Sequence, residues 1–193
     1  MDIPRIFNIT ESAHRIHNPF TPEKLATLGA ALRLEKGTRV LDLGSGSGEM
    51  LCTWARDYGV VGTGIDMSQL FTEQAKLRAK ELGVADKVNF IHGDAAGYVS
   101  DEKVGVAACV GASWIGGGVA GTVALLARSL HTGGITLIGE PYWRQLPPTE
   151  EVARECHAKS ISDFLMLPEL IASFGPLGYD IVEMVLADQD GWD

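Results

Sequence analysis

The sequence predicts an α/β fold: a doubly wound, mostly parallel sheet with helices on both faces. Three observations carry this. Short apolar runs alternate with amphipathic helical stretches along the chain. The first run ends in an acid and a glycine loop, and the second ends in another acid about twenty residues later, the spacing of a βαβ ligand cradle. The chain has 193 residues, 46% hydrophobic and 21% charged, enough for one compact domain with a sizeable core. The expected organisation is a lead-in over residues 1–20 and a single domain over residues 21–193.

The elements follow in order. Residues up to Pro19 read as an irregular or partly helical lead-in, in which His14 and His17 are spaced to share a helix face. Two histidines make too small a ligand set for a metal, so they are expected on a solvated polar face, while Phe7 and Phe20 either pack in the core or help fold the lead-in over a pocket. Thr21-Pro22-Glu23 is a helix start, and that helix runs to about Leu34 before Glu35-Lys36-Gly37 breaks it. Val40, Leu41 and Leu43 then form a strand fit for burial on both faces, interrupted by Asp42. Gly44-Ser45-Gly46-Ser47-Gly48 follows, with glycines on alternate positions that let backbone approach a bound group. Glu49 to Tyr58 has no Pro or Gly and carries Met50, Leu51, Trp54 and Ala55 at helical spacing.

The second strand, Val60 to Ile65, ends in Asp66, and Ser68 caps a long helix that stops at Gly83. Strands are expected at Val88 to His92 and Val104 to Val110. The latter leads into Gly111-Ala112-Ser113-Trp114 at the carboxyl end of a central strand, where ligands bind in open sheets. A helix from about Val119 to Leu130, a fifth strand at Ile135 to Gly139, short helices from Glu151 and Leu167, and a sixth strand at Tyr179 to Leu186 complete the reading.

A dinucleotide site would need GxGxxG, but its third glycine is Glu49 here, an anion where a pyrophosphate would sit. The hhDhGxGxG pattern of Val40 to Gly48 instead resembles the first motif of class I S-adenosylmethionine-dependent methyltransferases, and the resemblance extends from roughly Phe20 to Ala187. It implies a Rossmann-like sheet and S-adenosylmethionine as cofactor, with Asp42, Gly44, Ser45, Gly46 and Gly48 around its amino-acid end. Asp66 would take the ribose hydroxyls and Met67 would cover adenine. Gly93-Asp94-Ala95-Ala96 resembles the hxxGDA segment, in which the Asp94 side chain and the Ala95 amide read the adenine edge. The Val110 carbonyl would accept from the cofactor's amino group. Trp114 would face cofactor or substrate, or else serve as a hydrophobic plug. Lead-ins of this family often fold over the pocket.

The family sheet has a seventh, antiparallel strand between the fifth and sixth. No residues remain for it here, so the expectation is a C-terminally truncated copy with the seventh strand missing and an open edge that invites a homo-oligomer. The implied activity is in-line methyl transfer to a small-molecule acceptor, the alternative being a non-catalytic S-adenosylmethionine-binding protein or inactive truncated copy. A general base, where the acceptor needs one, is expected at Glu140 or Tyr142 in the loop to Pro148, with His92 and the lead-in histidines behind. The Asn/Asp-Pro-Pro-aromatic signature of amino-group methylases is absent at Val110-Gly111-Ala112-Ser113.

A net charge of −9 with no visible Lys or Arg cluster argues against nucleic-acid partners and for small molecules. Cys52, Cys109 and Cys156 lie far apart without metal spacing, and the amino end lacks the apolar core of a signal peptide, so a cytoplasmic home is expected. Residues 104–127 are uncharged and long enough to span a bilayer. Their glycines and their switch from strand to helix period favour a buried strand, loop and helix instead.

Overall fold

The computed structural model describes residues 5–188 and Gly191. The chain packs into two units, one made of residues up to Gly139 together with those from Val185 on, the other Glu140–Met184.

The first unit holds a five-stranded sheet of β1 (Arg39–Leu43), β2 (Val61–Asp66), β3 (Val88–His92), β4 (Val104–Val110) and β5 (Leu130–Gly139), in the order β3-β2-β1-β4-β5. Every pairing is parallel, and the β1–β2 register runs from Arg39 opposite Val61 to Leu43 opposite Ile65. Around the sheet lie α1 (Arg5–Glu11), α2 (Pro22–Ala31), α3 (Glu49–Asp57), α4 (Gln69–Glu81) and α5 (Val119–Ala127). Strand periodicity sorts the core onto two faces. Val40 and Val106 pack with Leu25, Leu51, Trp54 and Ala75 from α2, α3 and α4, while Leu41, Leu43, Ala107 and Cys109 pack with Leu125 and Leu126 from α5. That is the doubly wound arrangement. The order reverses between β1 and β4, which opens a crevice at their carboxyl ends.

Local chemistry explains the helix starts. Thr21 caps α2 by accepting from the Lys24 amide, with Pro22 in the first turn. Ser68, fully buried, caps α4 by accepting from the Phe71 amide at 3.3 Å. Ser68→Ala is expected to cost about 1–2 kcal/mol and to lower the melting midpoint by about 2–8 °C, read by circular dichroism.

The uncharged stretch over residues 104–127 is β4, a short turn and α5, and no helix among the described residues is long and apolar enough to cross a membrane. The sixth strand expected at Tyr179 to Leu186 does not form. Its alternation is real, but Ile181, Val182, Met184 and Leu186 are exposed. Val185 packs on the α2–α3 face of the core, and the Lys24 ammonium takes the Leu186 carbonyl at 2.7 Å and the Asp188 carboxylate at 2.6 Å. A period-two pattern makes a strand only where a neighbour supplies the ladder. Among the described residues, β5 pairs with β4 alone.

In the second unit, α6 (Glu150–Glu155) and α7 (Leu167–Ala172) flank a small core of Trp143, Ala153 and Ala158 with Phe164 and Met166. Trp143 is 8% exposed and donates from Nε1 to the Ile161 carbonyl at 2.8 Å. It is structural, although it lies in the loop that carries the candidate bases Glu140 and Tyr142.

Candidate functional site

The site grows from the end of β1. The chain leaves Leu43 through Gly44, Gly46 and Gly48, whose φ angles of 80°, 53° and 73° are left-handed and suit glycine. Gly44 and Ser45 donate to the Ile65 carbonyl at 2.8 and 3.1 Å, tying the loop to β2. A Cβ on Gly48 would stand 2.6 Å from Phe90 and 2.7 Å from Ala75, so this glycine allows the close packing of α3 on the sheet. Glu49, which breaks the dinucleotide pattern, turns toward α4. Its carboxylate accepts from Arg78 Nε at 2.7 Å and Nη2 at 2.8 Å.

Asp66 closes the loop from the next strand. It is 8% exposed, and its Oδ2 accepts from the Gly46 amide and its Oδ1 from the Ser68 amide, both at 2.8 Å. One carboxylate thus orients the glycine loop and the start of α4 together. Asp42 lies 3% exposed on β1, and its carboxyl is pushed up to about 7 by burial and then by the Asp66 carboxylate. Met67 is half-buried beyond Asp66, its carbonyl bonded to His92 Nε2 at 3.0 Å. Asp94 is exposed and accepts from the Ala96 amide at 2.8 Å, while Ala95 is buried. These residues occupy the carboxyl ends of β1, β2 and β3. Val110 and Gly111 stand at the corresponding end of β4, followed by the turn Ser113–Gly116. The Thr122 hydroxyl donates to the Ser113 carbonyl at 2.6 Å and fixes that turn. Trp114 on it is 59% exposed, so it is not a plug. Glu140 and Tyr142, both half-buried, begin the second unit.

The lead-in departs from expectation. α1 ends at Glu11, so His14 and His17 share no helix face. His14 pairs with Glu11 at 3.0 Å. His17 is half-buried instead of solvated: its Nε2 lies 2.8 Å from Ser47 Oγ and its ring lies 4.2 Å from that of Phe71. Burial holds its imidazole below the usual range, against the opposing pull of Glu11 and Asp66. The next residue, Asn18, donates from Nδ2 to the Val110 carbonyl at 3.3 Å. The sequence offered no cue to these partners, because they lie 30 and 92 residues away along the chain.

The residues present fit the cofactor that the resemblance implies. Two buried carboxylates at the ends of β1 and β2, one raised to about 7, suit a ligand carrying an ammonium and a sulfonium.

The comparisons agree. Residues 40–134 match the family described as Methyltransferase domain. YjhP of Escherichia coli (strain K12) is 72% identical over 193 residues, covering the whole of this chain and 78% of its own length. A crystal structure of an S-adenosylmethionine-dependent methyltransferase from Geobacter sulfurreducens in complex with S-adenosyl-L-homocysteine is 85% identical with a TM-score of 0.98, over 100% of this chain and 77% of that one. One from Thiobacillus denitrificans, in complex with the same compound, is 82% identical with a TM-score of 0.97, over 100% and 78%. With identity of this order over the whole of this chain, the chain belongs to the S-adenosylmethionine-dependent methyltransferases.

Proposed function

We propose that the acceptor of this methyltransferase is a small molecule. The observation that carries the proposal is charge. The chain bears a net −9, and two of its arginines near the site, Arg15 and Arg78 of α4, are paired with Glu81 and with Glu49 and Glu81 respectively. A nucleic-acid acceptor calls for unpaired cations spread along a face to neutralise phosphates.

When bound, the cofactor supplies an electrophilic methyl on a sulfonium, which the acceptor nucleophile takes in line. The protein's part is to orient and desolvate the two partners, which contributes several kcal/mol as effective molarity. Asp66 and the Gly44–Gly48 loop orient, and Trp114 offers an exposed aromatic face at the end of β4 on which an acceptor can pack. Glu140 and Tyr142 are the proposed proton acceptors for a protic nucleophile, and a soft acceptor would need neither.

The test is transfer of labelled methyl from S-adenosylmethionine to a panel of phenols, amines, thiols and carboxylic acids, run beside total RNA and denatured protein. Label in a small molecule is the expected result. Label only in the macromolecules would overturn the proposal.

A further inference from the structure

We propose that Asn18 binds the amino-acid end of the cofactor and that His17 positions the glycine loop around it. The inference rests on the cofactor assignment above and adds two lead-in residues to that site.

The two residues are consecutive, and they engage opposite sides of the crevice between β1 and β4. His17 stands on the β1 side. A Cβ on Gly46 would meet its Nδ1 at 2.8 Å, and its Nε2 reaches Ser47 Oγ at 2.8 Å. The direction of that bond follows from the next two. Gln74 Nε2 donates to the Ser12 carbonyl at 2.9 Å, which leaves Gln74 Oε1 to accept the Ser47 hydroxyl proton at 3.0 Å. Ser47 has one proton to give, so its oxygen accepts from His17 Nε2–H. The ring is thus locked between Phe71 and the loop, and it presses the backbone of Gly46 and Ser47 into one shape. Arg15 pairs with Glu81 at 3.3 Å and Gln74 holds Ser12, so the segment is anchored to α4 on the near side of His17.

Asn18 stands on the β4 side. Its Nδ2 is committed to the Val110 carbonyl, and its Oδ1 lies where a Cβ on Gly111 would be. That glycine, with φ of 74°, leaves room for the amide. Two acceptors therefore sit side by side at the end of β4, Asn18 Oδ1 and the second lone pair of the Val110 carbonyl. Across the crevice on β1 lies the buried Asp42 carboxyl. An α-ammonium, with three donors in a compact cone, suits such a set of oxygens. Asn18 also fixes where the Val110 carbonyl points.

The test compares two ligands by titration calorimetry on the full chain: S-adenosylhomocysteine, and 5′-methylthioadenosine, which keeps adenine, ribose and thioether but lacks the amino-acid end. Asn18→Ala is expected to weaken S-adenosylhomocysteine about tenfold and to leave 5′-methylthioadenosine within about twofold. His17→Ala is expected to show the same selectivity, and His17→Gln, whose amide can still donate to Ser47, to restore most of the affinity. Melting of each ligand-free variant reports whether the fold is kept, and Asn18→Ser and His17→Gln carry the comparison if the alanine variants do not fold. Equal losses for both ligands, or no loss for S-adenosylhomocysteine, would overturn the inference alone. Failure of the wild-type chain to bind S-adenosylhomocysteine would overturn the cofactor assignment and this inference with it.

Discussion

Asp66→Ala is expected to abolish the rise in melting midpoint that S-adenosylhomocysteine gives the wild-type chain. At a ligand concentration of about 100 Kd that rise corresponds to about 2.7 kcal/mol. The substitution acts twice. It removes the carboxylate proposed to accept from the ribose hydroxyls, a pair of charge-assisted hydrogen bonds that would contribute about 1.5–3 kcal/mol each. It also removes the acceptor of the Gly46 and Ser68 amides, which loosens the loop and the first turn of α4. Affinity should fall by at least about 100-fold. The ligand-free midpoint should fall as well, by roughly 4–8 °C if the two amides together lose about 2 kcal/mol. Asp66→Asn keeps one side-chain acceptor but turns its NH2 toward the other amide donor, so it should recover at most half of that stability and little of the affinity. A variant still protected by S-adenosylhomocysteine as strongly as the wild type would place the ribose elsewhere.

What was legible in the sequence is what local chemistry encodes. The run from Val40 to Gly48 carries its own geometry: alternate glycines after a doubly buried strand permit few paths, and the structure follows the expected one through Gly44, Gly46 and Gly48. Asp66 could be found because a strand-helix-strand unit has a nearly constant length. Caps were equally plain, as Thr21 and Ser68 bond within their own turn. The features that escaped depend on distant residues. His17 looks like any exposed histidine until Ser47 and Phe71 fold around it, and Asn18 has meaning only beside Val110. Tyr179 to Leu186 failed for the complementary reason. Its local pattern says strand, and among the described residues no neighbouring strand takes up its backbone. Glu49 shows a third case: the sequence disfavours a pyrophosphate by placing an anion at the third glycine position, whereas in the structure that carboxylate turns aside to Arg78.

Asp42→Asn is expected to make the protein more stable and a poorer cofactor binder, the stability gain growing from about pH 4 to 7 and the binding loss growing as pH rises through 7. The folded carboxyl titrates near 7 because of burial and the neighbouring Asp66, whereas in the unfolded chain it titrates near 3.8. Between those values the unfolded chain has released a proton that the folded one keeps. Stability therefore falls as pH increases over that window and levels off above 7. The full loss is on the order of 4 kcal/mol. The amide cannot ionise, so the variant lacks this slope: its midpoint should match the wild type near pH 4 and exceed it at pH 8, by on the order of 10 °C. Cofactor binding should run the other way. An ammonium beside Asp42 favours its ionised form, so wild-type affinity for S-adenosylhomocysteine should strengthen as pH rises from 6 to 8, with a proton released on binding near neutral pH. The variant should bind about tenfold more weakly at pH 8 and show no such dependence. Melting curves at pH 4, 6 and 8, and calorimetric titrations in two buffers of different ionisation enthalpy, separate the two effects. Parallel pH dependences in the wild type and the variant would mean that another group titrates there. A stabilised variant with unchanged affinity would make Asp42 a strained member of the core and not a partner of the cofactor.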